Sequence, residues 1–195
     1  MANIILASQS PRRKMLLEWA EIPFQVIISD TDEAYPNDLP KKAVPEYIAA
    51  QKALAVVEML KNKNNDIVDN CIIAADTIVL LNDQILGKPL DEADAIKSLQ
   101  QLSGVEHEVI TGVVILYQGN THSFSQITKV KFHELSIEQI HFYVSKYKPY
   151  DKAGAYAIQE WVGVVGIESI QGDFYNVMGL PVSLVVQKIK QLGII

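Results

Sequence analysis

Three cations stand where a helix disfavours them. In "LASQSPRRKMLLEWA", Ser10 and Pro11 read as an N-cap and a first helical residue, and the first turn then carries Arg12, Arg13 and Lys14. A helix start is the positive end of the macrodipole and favours acids. As a solvated helix end, the arrangement costs about a few tenths of a kcal/mol. As an anion site it has a purpose. Free N–H groups at the helix start, the Ser8–Ser10 backbone and two guanidinium forks form a polyphosphate cradle. Arginine suits this task because it chelates phosphate oxygens bidentately. The loop is not a P-loop, since "GxxxxGK[ST]" is absent.

Asp76 breaks an otherwise apolar run, "IIAADTIVLL". An unpaired buried carboxylate is costly. It reads as a structural aspartate bonded to a turn, or as a metal ligand or general base. Glu33 closes "SDTDE"; alone it is a solvated acid, but paired with Asp76 it could hold Mg²⁺, which prefers carboxylates, phosphate oxygens and water. Lys52 lies on the side of a helix with Ile48, Ala55, Val56 and Met59, and alone it would snorkel to water. Lys88 in "LGKP" alone is a loop lysine. Beside an arginine pair, these two lysines suit a substrate with several negative charges. His107, His122, His133 and His141 show no zinc spacing and read as surface or structural residues. Cys71 reads as core. No Ser-His-Asp or Cys-His arrangement has supporting context.

The elements that must carry these residues follow from periodicity and punctuation. Asn3 to Ala7 reads as a strand, followed by the "SQS" loop and the helix from Pro11. Phe24 to Ser29 reads as a strand running into the acidic loop. Val44 to Lys61 reads as a helix, and "KNKNND" as a polar loop tolerant of insertion. "CIIAADTIVLL" is a strand, "NDQ" a turn, and Asp91 to Leu102 a helix with acids at its start. "HEVITGVVILYQ", "GNT" and "HSFSQITKVKFHEL" form a long antiparallel hairpin. Ser136 caps a helix to Tyr147, with Glu138 nearby. "YDKAGAYAIQE" reads as a loop, "WVGVVGIESIQG" as a strand, "YNVMGLP" as a turn and Val182 to Leu192 as a final helix. Parallel-type crossovers plus one hairpin imply an α/β fold with a mixed sheet and helices outside.

Bulk composition narrows the class. The 195 residues are 49% hydrophobic and 21% charged, which is ordinary for a globular protein. A net charge of −6 argues against a general nucleic-acid binder. One cysteine cannot form an internal disulfide, and no window holds the roughly 18 consecutive apolar residues of a membrane helix. The first apolar run precedes the basic residues, the reverse of a signal peptide. A cytoplasmic protein is expected.

Taken in order, "LASQSPRR", Glu33, "AAQKA" around Lys52, "AADTIV", "GKP", "LSG", "VITGV", "PYDKAGAYAIQ" and "YNVMGLP" resemble the Maf family of nucleoside triphosphate pyrophosphatases over essentially the whole chain. Within that family, "SPRR", "ADT" and "AIQ" look like the branch that hydrolyses dTTP and UTP. The resemblance implies a single catalytic domain over residues 1–195, with an elongated mixed central sheet, flanking helices and two lobes around a cleft, related to the inosine-triphosphate pyrophosphatases. Gln51 and Lys148 depart from the residues usual there, and neither belongs to the candidate set.

The resemblance further implies cleavage between the α- and β-phosphates, with a nucleotide-pool housecleaning role. Asp76 would accept the proton of water. Glu33 and Asp76 would hold a divalent cation, Mg²⁺ or Mn²⁺. Ser8, Ser10, Arg12, Arg13, Lys52 and Lys88 would bind the triphosphate. Arg12, Thr77 and Gln159 would set specificity, since an amide offers both a donor and an acceptor to a pyrimidine edge. Gly154, Ala155 and Ala157 leave room for the base. The expected partner is a nucleoside triphosphate, with no stable nucleic acid and no membrane, and a homodimer is left open. Two alternatives stand beside this reading. One is a nucleotide-binding regulator of septum formation and cell division. The other is a pyrophosphatase for another base, such as 7-methyl-GTP.

Overall fold

Residues 2–62 and 69–195 are described by the computed structural model of the protein. Most of "KNKNND" lies outside them. In chain order the elements are β1 (Asn3–Ala7), α1 (Pro11–Trp19), β2 (Gln25–Val26), a 3₁₀ turn (Lys41–Ala43), α2 (Val44–Asn62), β3 (Asn70–Leu81), β4 (Gln84–Leu86), α3 (Glu92–Leu102), β5 (Glu106–Tyr117), β6 (Asn120–Phe132), α4 (Ile137–Tyr147), a 3₁₀ turn (Ala153–Ala155), α5 (Trp161–Gly166), β7 (Ile167–Gln171), α6 (Phe174–Met178) and α7 (Val182–Gln191). Among the described residues the strands form one seven-stranded sheet, ordered β2-β1-β3-β5-β6-β7, with β4 paired to β3. The chain divides into two compact units, Met1–Asp76 with Thr111–Gln126 and Gly179–Ile195, and Thr77–Ile110 with Ile127–Met178.

In the first unit, β1 is flanked by two parallel partners. Leu6 pairs with Val26 on one side and with Ile73 on the other. Ile4, Ile5, Leu6 and Ala7 are all buried, as an apolar run without alternation requires of a strand covered on both faces. Helix α2 lays Ala49, Ala53, Val56 and Leu60, one stripe at helical spacing, onto Ile5, Ala7, Ile72, Ala74 and Val114. The strand expected over Phe24 to Ser29 shrinks to Gln25–Val26. It is an end strand of the sheet, and Val26 and Ile28 face solvent, so little burial holds it extended.

In the second unit, Asn82 and Asp83 both take positive φ, 47° and 65°, as a two-residue hairpin between β3 and β4 demands. Asp91 caps α3 by accepting from Asp94 N at 2.9 Å. Ser136 caps α4 in a full capping box whose partner is Gln139, not the neighbouring Glu138. Asn176 is fully buried; its amide donates to Val109 O at 3.1 Å and to Thr128 Oγ1 at 3.0 Å, and that hydroxyl donates to Asp173 O at 2.9 Å.

Two expectations are corrected here. "WVGVVGIESIQG" is not one strand. Its first half is α5 and only Ile167–Gln171 is strand. Val162 and Gly166, four apart, are the buried pair, while Val164 is 79% exposed, so the apolar run has a helical rather than an alternating face. Gly163 permits the turn, because a Cβ there would lie 1.8 Å from Ile158 O. "YNVMGLP" is not a turn alone: its first four residues belong to the short helix α6, which stops at Gly179, φ 116°.

Candidate active site

The sequence places "SQS" between a buried strand and a capped helix, and the structure shows why three polar residues fit there. Ser10 takes extended backbone at the N-cap of α1 and its Oγ accepts from Arg13 N at 3.4 Å. Ser8 Oγ accepts from Ser10 N at 3.1 Å. Pro11 occupies the first helical position, and no acid stands in the first turn. The positive end of the dipole therefore faces the loop, and the Arg13 side chain reaches back to it at Ser8.

The two arginines are not alike. Arg12 is half-buried, whereas Arg13 is only 8% exposed. Arg13 Nε donates to Gly179 O at 2.7 Å and Nη1 donates to Ser8 Oγ at 3.3 Å. Its fork thus ties the start of α1 to the bend that precedes α7. Burial pulls its pKa below the usual arginine value; Asp76 and Glu33 act against this, and Arg12 adds to it. Arg12, Arg13, Asp76 and Glu33 therefore sit within one electrostatic neighbourhood.

Lys52 joins the carboxylates directly. Its ammonium donates to Asp76 Oδ1 at 2.7 Å and to Glu33 Oε1 at 2.8 Å. The side chains of Asp76 and Lys52 are 12% and 15% exposed, that of Glu33 46%, so the pair opens to solvent on the Glu33 side. This answers the question raised by a carboxylate in an apolar strand. β3 runs unbroken through Asp76, and the charge is met by a lysine reaching from α2. The lysine on an apolar stripe does not merely snorkel; it is the cation of a two-carboxylate site.

This donor set can be tested against a divalent ion. Among the described residues no three His, Cys, Asp or Glu side chains cluster as a metal cage. Glu33 and Asp76 nonetheless share one cation, the Lys52 ammonium. Mg²⁺ is ordinarily held by one or two carboxylates, with substrate phosphates and water completing its octahedron. Two oxygen donors that already converge on a positive charge fit such an ion arriving with a polyphosphate.

Ser8, Ser10, Arg12, Arg13, Glu33, Lys52 and Asp76 thus belong to the first unit. Thr77, Lys88 and Gln159 belong to the second. Thr77 is half-buried, and Lys88 and Gln159 are exposed. Gly87, next to Lys88, accepts from Gly154 N at 3.0 Å, which fastens "GKP" to the "DKAGAYAIQ" segment. Gly154 has φ 66°, and a Cβ there would lie 2.9 Å from Val79 Cγ2.

Sequence reasoning missed several residues. Gly179, the acceptor for Arg13, lies 166 residues away, and nothing local marks it. Tyr143, Lys152 and Glu160 form a polar cluster in the second unit: Tyr143 Oη donates to Glu160 Oε2 at 2.5 Å, and Lys152 Nζ is 3.6 Å from Glu160 Oε1 and 2.7 Å from Asp151 Oδ1. The "DK" within the small-residue loop was the available signal. The histidines are as expected. His107 is buried, its ring stacked on Phe132 and its Nε2 2.8 Å from Tyr156 Oη, and burial lowers its pKa to about 4. Cys71 is core, its thiol pushed up to about 12 by burial.

Two arginines at a helix start, with two carboxylates in the field of one of them and a lysine bridging those carboxylates, are groups whose chemistry suits a polyanion and its counter-ion. Comparison with known proteins gives the family. The family model described as "Maf-like protein" matches residues 3–192, and the chain belongs to that family. It is 48% identical to the "dTTP/UTP pyrophosphatase" of Cytophaga hutchinsonii, covering 97% of this chain and 84% of that one. It is 47% identical to the protein of the same name from Phocaeicola vulgatus, covering 97% and 96%. The one from Parabacteroides distasonis is 46% identical, covering 96% and 95%. Among solved structures, the Staphylococcus aureus Ham1 protein matches at 16% identity, covering 67% of this chain and 71% of that chain, with a TM-score of 0.44. No helix among the described residues is long and apolar enough to cross a membrane.

Proposed function

We propose that this protein is a nucleoside triphosphate pyrophosphatase that hydrolyses dTTP and UTP to the monophosphate and pyrophosphate, a nucleotide-pool housecleaning enzyme of the cytoplasm in which residues 1–195 act as one catalytic domain. The observation that carries this is Asp76, a carboxylate in a buried strand, held by Lys52 together with Glu33 and within the field of Arg13. The names of relatives at 46–48% identity supply the substrate.

Ser8, Ser10, Arg12, Arg13 and Lys52 bind the triphosphate, whose charge offsets the crowding of cations at the start of α1. Lys88 adds a further cation for the phosphates. Lys52 also holds the two carboxylates together against their mutual repulsion. Asp76 takes a proton from the water that attacks the α-phosphorus; the bond to the bridging oxygen breaks and pyrophosphate leaves with the electron pair. A divalent cation, Mg²⁺ or Mn²⁺, bound by Glu33 and Asp76 would polarise the phosphate and lower the pKa of water. Arg12, Thr77 and Gln159 set base preference. The Gln159 amide donates to O4 and accepts from N3–H of uracil or thymine, a pattern that cytosine reverses.

The test is a screen of nucleoside triphosphates with Mg²⁺ or Mn²⁺, scored for pyrophosphate. Release of pyrophosphate from UTP and dTTP ahead of CTP, GTP and 7-methyl-GTP is expected. Orthophosphate from the γ-position, or binding without turnover, would overturn the assignment.

A further inference from the structure

Gln159 lies between two residues that share one hydroxyl. Ala157 N donates to Tyr143 Oη at 3.2 Å, and Tyr143 Oη donates to Glu160 Oε2 at 2.5 Å. The hydroxyl is itself fixed. Tyr143 is fully buried on α4, its ring stacked on Tyr147 with centroids 5.0 Å apart, and α4 is closed at its start by the capping box. Lys152 reaches Glu160 from the other end of the segment and pairs with Asp151. Between them the backbone takes two successive left-handed residues, Gly154 at φ 66° and Ala155 at φ 60°. Tyr143 and Lys152 are buried and Glu160 is half-buried, while Gln159, which they bracket, is exposed.

An amide presents a donor and an acceptor but can flip, so alone it cannot tell uracil from cytosine. It discriminates only where its backbone fixes the position and direction from which it reaches the base. We infer that Tyr143 is a positioning residue for base selectivity, its hydroxyl fixing the chain on both sides of Gln159. This rests on the reading of Gln159 as the residue that meets the base.

The experiment measures kcat/KM for UTP and CTP at fixed metal, with wild type, Gln159→Ala, Tyr143→Phe and the double variant, each checked by thermal melt. Tyr143→Phe keeps the ring and its stacking. It should lower the UTP/CTP ratio by about fivefold or more, since small misplacements of a positioning group have large kinetic effects. In the Gln159→Ala background the same change should alter the ratio by less than about twofold, because the two act as one unit. An unchanged ratio in folded Tyr143→Phe, or two effects that simply multiply, overturns the inference. An unchanged ratio in Gln159→Ala overturns it too, by removing the residue on which Tyr143 acts. Wild-type protein inert toward both UTP and dTTP sinks the functional reading itself, which is a separate result. Should Tyr143→Phe fail to fold, Glu160→Leu cuts the same hydroxyl's bond from its half-buried end and is held to the same outcomes.

Discussion

Arg12 and Arg13 stand side by side in sequence, and the structure predicts that their removal has different consequences. Arg13→Ala deletes the 2.7 Å bond from Nε to Gly179 O, a charge-assisted bond worth about 1.5–3 kcal/mol. It also deletes the longer 3.3 Å contact to Ser8 Oγ, worth about 0.5 kcal/mol. Some of that loss is returned, because a guanidinium no longer has to be buried or to face Arg12, although its attraction to Asp76 and Glu33 goes with it. A net destabilisation of about 2–3 kcal/mol follows, and for a chain of this size each kcal/mol moves Tm by about 2–4 °C. Arg13→Ala should therefore melt about 4–12 °C below wild type. Arg12→Ala, at a half-buried position, should stay within about 0.5 kcal/mol, and so within about 2 °C. Thermal melts by circular dichroism and urea titrations, run beside UTP turnover, separate the two. Both variants should lose activity, and only one should lose stability. Equal melting temperatures would refute the argument that Arg13 pins α1 to the bend before α7.

Asp76→Asn keeps the shape of the side chain and removes its charge and basicity; the expected result is a folded protein whose kcat falls by about 100-fold or more, and near-normal turnover would eliminate both the base and the metal-ligand roles. His107 supplies the acid response. Burial holds its pKa near 4, below the ordinary value of 6.5, so the unfolded chain binds the extra proton first as pH falls. Its contribution to stability is complete above pH 6.5 and is lost progressively toward pH 4. Urea midpoints between pH 7 and 4.5 should fall less steeply for His107→Gln than for wild type, and identical slopes would show that this ring is not the group responsible.

Local rules reached far into this protein. The Ser10 cap with Pro11 at the first helical position, the Asp91 and Ser136 caps and the apolar stripe of α2 are each specified by a few neighbouring residues, because capping bonds span less than one helical turn; the hairpin turn expected at "GNT" lies slightly earlier, at Gln118 and Gly119, which take φ 48° and 75°. The strand expected over Phe24 to Ser29 and the run "WVGVVGIESIQG" depart from expectation where that locality fails. A short apolar run is extended or helical according to what covers it, and Gly163, packed against Ile158 O, permits this one to be helical. Within the site, Ser8, Ser10, Arg12, Arg13, Glu33, Lys52 and Asp76 were legible as residue types that do not suit their elements unless they share a task. Their pairing was not. That Lys52 serves as the cation between Glu33 and Asp76, that Arg13 spends its Nε on a carbonyl 166 residues away, and that one tyrosine hydroxyl brackets Gln159 depend on distances between remote segments. The sequence alone determines which charges must find partners, since burying one unpaired is too costly to tolerate. Only the tertiary structure decides which partner each one has, because a hydrogen bond is settled within fractions of an ångström and no spacing along the chain encodes that.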